Sequence, residues 1–352
     1  MDYSNDYYKQ REVSSLEKIE RLEEDMPPMT KEFVLGITEY TSPLTRLNYV
    51  YDLRIFFDFL VKTKFKKKVA LDLNLGDLEE LDITDFENYL AYLTKYEFMG
   101  RCEMCSERAK SRKLATVRAF FKYFFNKGKL TKNVAAKIAT PKKHEKEIIR
   151  LEGGEVHNLI AAAMSGDTLN DRQKAYHENT RIRDVAILTL FLGTGIRNSE
   201  LVGLNIDDVN FDSMSFAVTR KGGNRTILYF NDEVKDALEN WLAYRASIKD
   251  VKKEEKALFL SLQNRRISTR TIQELVKKYA KTVTPLKKIT PHKLRSTFGT
   301  NLYRETNDIY LVADFLGHAD VNTTKKHYAA MSENLRKEAV KSVKLSDSKD
   351  EE

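Results

Sequence analysis

Gly193-Thr194-Gly195-Ile196-Arg197-Asn198-Ser199-Glu200-Leu201 follows directly on the apolar run from Val185 to Leu192. That run is apolar nearly all round, which predicts a helix buried inside a domain rather than one lying on its surface. The glycines end it. Arg197 then stands just past a turn, at the start of the next helix. Alone, an arginine in that place reads as a surface or capping residue, so its meaning depends on what lies downstream.

Three further segments stand out. Arg220-Lys221-Gly222-Gly223 puts a lysine on the tip of a tight reversal between two short predicted strands, Phe216 to Thr219 and Thr226 to Phe230. In Thr290-Pro291-His292-Lys293-Leu294-Arg295, threonine suits the cap and proline the first helical position. His292 and Arg295 then fall three apart on one helix face. In Leu316-Gly317-His318-Ala319-Asp320 the glycine ends a helix and leaves His318 in a turn, and Tyr328 follows ten residues later.

Taken in order, these segments resemble the tyrosine recombinase/integrase family, and most of all the single-protein Xer-type recombinases. The resemblance spans about residues 45 to 335. It implies that Arg197, Lys221, His292, Arg295 and His318 are catalytic, that Tyr328 is the nucleophile, and that Glu200 supports Arg197. Two departures from the family pattern bear on the nucleophile and its surroundings. His318 and Tyr328 are one residue further apart than in many Xer-type members, with His327 immediately before the tyrosine, and Ser296 follows Arg295 where many relatives have histidine.

The chemistry of these side chains is coherent on its own terms. Attack on a phosphodiester gathers negative charge on its equatorial oxygens, and two guanidiniums with a histidine hold that charge more tightly in the transition state than in the bound diester. Lysine on a hairpin can protonate the leaving 5′ oxygen, so the reaction requires no metal or cofactor. His292 is a candidate base toward Tyr328, with His318 donating to the phosphate. The resemblance adds the polarity, a 3′-phosphotyrosyl link and a free 5′ hydroxyl. It also implies monomers on paired half-sites of duplex DNA, brought together as a homotetramer. Chromosome-dimer resolution is the expected role; a mobile-element integrase, a type IB topoisomerase and a non-catalytic DNA-binding protein are the alternatives.

Composition fits a polyanion partner. The 352 residues include 60 Lys and Arg against 52 Asp and Glu, a net charge of +8, and such an excess favours nucleic acid. No apolar run approaches the ~20 residues a membrane helix needs. Met1-Asp2-Tyr3-Ser4-Asn5-Asp6 is acidic where a secretory signal would be basic, so the cytoplasm is the expected address. Cys102 and Cys105 have no second pair to complete a zinc site and read as two thiols in a helix connection.

The fold class expected is mainly α, with a small antiparallel sheet in the catalytic part. Residues 1–40 read as a polar extension and 41–140 as a helical-bundle DNA-binding domain. Amphipathic stripes from Thr45 to Leu60, Asp82 to Leu93 and Leu114 to Phe125 carry that bundle. Arg108, Lys110, Arg112, Lys113, Arg118 and Lys122 are expected on the outer face of the third stripe as phosphate contacts. Residues 141–150 form a basic linker in which Lys142 and Lys143 lie along DNA. Residues 151–345 form the catalytic domain, with a predicted helix from Ser332 to Lys344 that docks on a neighbouring protomer, and 346–352 an acidic tail.

Overall fold

A computed structural model of the protein describes residues 7–141, 149–220, 223–252, 255–317 and 321. The chain divides into two compact units, Met1–Lys146 and Glu147–Glu352. Both are mainly helical, and the second holds the small antiparallel sheet that the sequence predicts.

In the first unit α1 (Tyr7–Glu23), α2 (Pro28–Gly36), α3 (Pro43–Thr63), α4 (Leu75–Glu79), α5 (Ile83–Tyr92) and α6 (Glu107–Asn126) enclose one core. Sequence sets their ends. Ser42 caps α3 ahead of Pro43, and Asp82 and Asp85 cap α5 by exchanging backbone N–H bonds of 3.0 Å each way. The core is aromatic, with Phe33 edge-on to Phe120 at 5.2 Å and Phe86 edge-on to Phe121 at 5.3 Å. Each such ring contributes roughly 1.5–3 kcal/mol by leaving water.

Two features depart from the sequence reading. Residues before 41 are not merely an appended tail, because Ile19, Met26, Met29, Phe33 and Val34 lie in the same core as α3 and α6. The connection holding the cysteines contains a hairpin, β1 (Tyr96–Phe98) with β2 (Arg101–Glu103), closed by Met99 and Gly100 at φ 50° and 72°. Cys102 is exposed on β2, while the Cys105 thiol lies 3.9 Å from the Tyr96 hydroxyl.

The second unit runs α7 (Gly153–Ser165), α8 (Asp171–Thr194), α9 (Asn198–Gly203), β3 (Val209–Asn210), β4 (Ser215–Thr219), β5 (Arg225–Tyr229), α10 (Asp232–Ser247), α11 (Thr269–Val283), α12 (Pro291–Thr306) and α13 (Ile309–Leu316). The strands lie in the order β3-β4-β5, all antiparallel, with Phe216 opposite Leu228 and Thr219 opposite Arg225. α8 is the axis, packing against α7, α10 and α12.

α8 begins well before the apolar run that betrays it. Asn170 caps it by accepting from the Gln173 N–H at 2.9 Å, and the Gln173 side chain returns the bond at 3.2 Å. Further along, the buried Asp184 accepts from Arg183, from Lys278 Nζ at 2.9 Å and from the Tyr279 hydroxyl at 2.9 Å, which ties α8 to α11. No helix among the described residues is long and apolar enough to cross a membrane. The predicted helix from Ser332 to Lys344 and the acidic tail lie outside the described residues.

Candidate active site

α8 ends on Gly195 in the left-handed conformation, φ 62°. Besides the backbone angle, space demands glycine there, since a Cβ would collide with the Phe298 ring. The reversal delivers Arg197 to the N-cap of α9, where Glu200 holds it twice. One carboxylate oxygen accepts from the Arg197 backbone N–H at 2.9 Å and the other from Nη1 at 2.7 Å. Glu200 is buried, so its charge is spent on this arginine.

Arg295 approaches from α12. Thr290 takes the N-cap place but its hydroxyl makes no capping bond, whereas Pro291 occupies the first turn as the sequence predicts. His292 is exposed on that turn; Arg295, three residues on, is buried. Its Nη1 donates to the carbonyl of Gly195 and its Nη2 to that of Leu316.

Leu316 is where the two arginines meet. Arg197 Nη2 donates to the Leu316 carbonyl at 3.1 Å and to that of Gly317 at 3.0 Å. Both guanidiniums thus sit at the C-terminal end of α13, where unpaired carbonyls and the helix dipole favour cations. Gly317, φ 55°, turns the chain there. A third guanidinium, that of Arg220, lies against Gly317 and donates weakly to the Phe315 carbonyl at 3.4 Å.

Residues from α8–α9, the β4–β5 hairpin and the consecutive helices α12 and α13 are therefore gathered into one place from three separate parts of the sequence. Glu200 holds Arg197, and backbone carbonyls accept from all three guanidiniums. The balance leaves positive charge for an anion. Lys221, His318 and Tyr328 lie outside the described residues. Of the tyrosines on α12 and α13, Tyr303 is buried beside Val312 and Leu316, whereas Tyr310 is exposed. Arg220 stands in the quoted hairpin but the sequence reading assigned it nothing, because its partner turn is far away in the chain. A cavity of about 680 Å³ lies between α8 and α11 around Thr180, Asp184 and Lys278, and shares no lining residue with this cluster.

The Phage integrase family model matches residues 150–334. The chain belongs to the tyrosine recombinase/integrase family. Tyrosine recombinase XerC of Caldanaerobacter subterraneus subsp. tengcongensis is 34% identical over 348 residues, covering 96% of this chain and 91% of that relative. Tyrosine recombinase XerS of Lactococcus lactis subsp. cremoris is 29% identical over 346 residues, covering 91% and 97%. Among solved structures, XerH recombinase bound to a palindromic difH substrate in a post-cleavage complex superposes with a TM-score of 0.63 at 18% identity, over 85% of this chain and 80% of that one. A lambda integrase dimer bound to a core site gives 0.59 at 16%, over 84% and 92%. These two establish the shared fold. As a tyrosine recombinase the enzyme binds DNA and cleaves and rejoins it through a phosphotyrosine.

In the first unit of this recombinase the basic residues of α6 do not share one face. Arg108 and Lys122 are exposed. Lys110 bonds the Thr94 hydroxyl at 2.6 Å, and Arg118 is turned onto the Ala135 and Ile138 carbonyls and the Thr140 hydroxyl. Lys113 corrects the expectation of an outward residue: it is buried and paired with the buried Asp52 at 2.9 Å, while Arg112 reaches the same carboxylate from the surface. Periodicity could have shown this, since Lys113 precedes Val117 by four and Phe120 by seven, on the buried stripe itself. Lys142 and Lys143 lie outside the described residues.

Proposed function

We propose that this enzyme is a site-specific recombinase that resolves dimeric chromosomes in the cytoplasm, acting as a homotetramer on two duplex sites, each with paired half-sites. The observation that carries the chemistry is the convergence of Arg197 and Arg295 on the Leu316 carbonyl. Two guanidiniums fixed side by side bring two permanent positive charges and their remaining N–H donors to a phosphate, and neither can lose its proton. Near full-length similarity to relatives named XerC and XerS supports the chromosomal role.

In the reaction the Tyr328 phenolic oxygen attacks phosphorus, its proton passing to His292. The bond from phosphorus to the 5′ oxygen breaks, and Lys221 protonates that oxygen as it leaves. Arg197, Arg295 and His318 stabilise the extra negative charge of the phosphorane. Glu200 holds Arg197 in place. The phosphotyrosine conserves the energy of the diester, so attack by a 5′ hydroxyl of the partner strand rejoins DNA and returns the phenol. Residues 41–140 grip the duplex through Arg108, Lys110, Arg112, Arg118 and Lys122, and 141–150 carry Lys142 and Lys143 along it to the catalytic domain, 151–345. The segment from Ser332 to Lys344 joins neighbouring protomers.

The test is a nicked suicide duplex bearing a site selected by the protein from random DNA. The protein should form an adduct at the 3′ phosphate that resists denaturant and is destroyed by protease; Tyr328→Phe should bind and form none. An adduct from Tyr328→Phe moves the nucleophile. Relaxation of supercoils without any preferred site overturns the recombinase reading in favour of a topoisomerase, and a gene flanked by attachment-like repeats beside an excisionase overturns the chromosomal role.

A further inference from the structure

Arg220 belongs to two structures at once. Its backbone closes the β4–β5 turn, its N–H donating to the Asn224 carbonyl at 2.8 Å and its carbonyl accepting from the Gly223 N–H at 3.1 Å, with Gly223 at φ 83°. Its side chain leaves the sheet and lies on Gly317, so closely that a Cβ there would fall on Nη1 and Cζ. Nη2 reaches the Phe315 carbonyl at 3.4 Å. Nε is buried with no hydrogen-bond partner among the described residues. Burying a guanidinium nitrogen so incompletely satisfied is unfavourable, and packing alone gives no reason to use an arginine here. What the contact does is join two turns. The residue after Arg220 is Lys221, and the residue after Gly317 is His318.

We propose that Arg220 is a positioning residue that clamps the base of the β4–β5 turn onto the Phe315–Gly317 turn and thereby delivers Lys221 to the leaving 5′ oxygen. The inference rests on the reading of Lys221 as the general acid. Fixing Arg220 fixes the residue from which the chain continues into Lys221, so the clamp acts on the lysine at its root. Arg197 and Arg295 already occupy the Leu316 carbonyl. Arg220 lies against Gly317 and bonds the Phe315 carbonyl, a location suited to holding the hairpin.

The experiment uses the full chain on the selected nicked duplex in two forms, with oxygen or with sulfur as the 5′ bridging atom at the scissile phosphate. Sulfur leaves as a thiolate and needs no proton. Arg220→Ala should cut the oxygen substrate about 10²-fold more slowly, the scale on which a displacement of about 1 Å acts. It should cut the sulfur substrate within about threefold of the unaltered protein, because protonation of the leaving group no longer limits the step. Lys221→Ala should behave likewise, and Arg220→Lys, which keeps the charge but not the fork, should fall between. Half-site binding by all three should match the unaltered protein, which separates positioning from misfolding. Equal loss on both substrates for Arg220→Ala, with Lys221→Ala rescued by sulfur, overturns the positioning role and leaves the acid assignment standing. If Lys221→Ala is not rescued either, the acid assignment falls and the proposal with it. Full activity of Arg220→Ala on oxygen also overturns it.

Discussion

Asp52 in the first unit and the arginine cluster of the second use the same side chains to opposite ends. Around Asp52 a buried carboxylate accepts from Lys113 at 2.9 Å, from the Thr116 hydroxyl at 2.9 Å and from Arg112 at 2.5 Å. Both oxygens are occupied and Lys113 is out of reach of solvent. Around Leu316 three guanidiniums converge, with Glu200 on Arg197 and backbone carbonyls accepting from each of the three. Carbonyls orient a guanidinium without cancelling its charge. A closed network of that first kind secures helix packing, whereas an open one keeps its field for a phosphate.

The closed network should give the largest loss of stability. Asp52→Asn leaves Lys113 buried without a counter-charge, and breaking a buried pair from one side costs about 3–5 kcal/mol. Urea unfolding of the full chain, followed in the transition that reports the first unit, should show a drop of that order. Adding Lys113→Met to Asp52→Asn should recover a substantial part, because the orphaned charge is then gone. A single-variant loss below about 1 kcal/mol would mean that Lys113 finds water and that the network is not closed.

The open cluster should respond in rate instead. Arg295→Ala and Arg197→Ala should each slow covalent adduct formation by about 10²–10³-fold, the range for removing one preorganised donor from a developing oxyanion. Half-site affinity should fall only modestly and in a salt-dependent way, since each removes one phosphate contact. Arg295→Lys should not restore the rate, as an ammonium cannot span two oxygens as the fork does. Equal losses in binding and cleavage would reduce these residues to DNA contacts and erase the contrast with Asp52.

Much of this was legible beforehand, and the failures share a cause. Stripes such as Val50, Leu53, Phe57 and Leu60 report burial directly, so α3, α5 and α6 are readable from spacing. Arg197 and Arg295 were marked by local turn and cap chemistry, Gly195 and Pro291 above all. Polar helix surface, by contrast, has no period of its own: the stretch from Asp171 to Ile182 hides the first half of α8. Met99-Gly100 lacks the usual Asn-Gly or Asp-Gly signal, which hides the β1–β2 hairpin. Arg220 needed knowledge of a turn at Phe315–Gly317, a long-range contact that no local pattern encodes. Charge overrides position at Lys113, where a lysine reads as an outward phosphate contact although the stripe points it inward.

That last residue gives the finest test, and the smallest effect. If α6 contacts phosphates, each exposed cation removed should flatten the plot of log affinity against log salt by about one unit and weaken binding evenly across DNA sequences. Arg108→Gln and Lys122→Gln should do so, because both side chains are exposed and reach solvent counter-ions. Lys113→Gln should leave the slope unchanged within error while lowering the stability of the first unit, since its charge is already balanced by Asp52 and releases no counter-ion on binding. Arg112 lies between these cases: its side chain is half exposed with one nitrogen on Asp52, so Arg112→Gln should flatten the slope by less than Arg108→Gln. A slope change at Lys113 equal to that at Arg108 would show that the Asp52 network opens on DNA, and the division between structural and ligand-facing cations in this protein would then depend on the bound state.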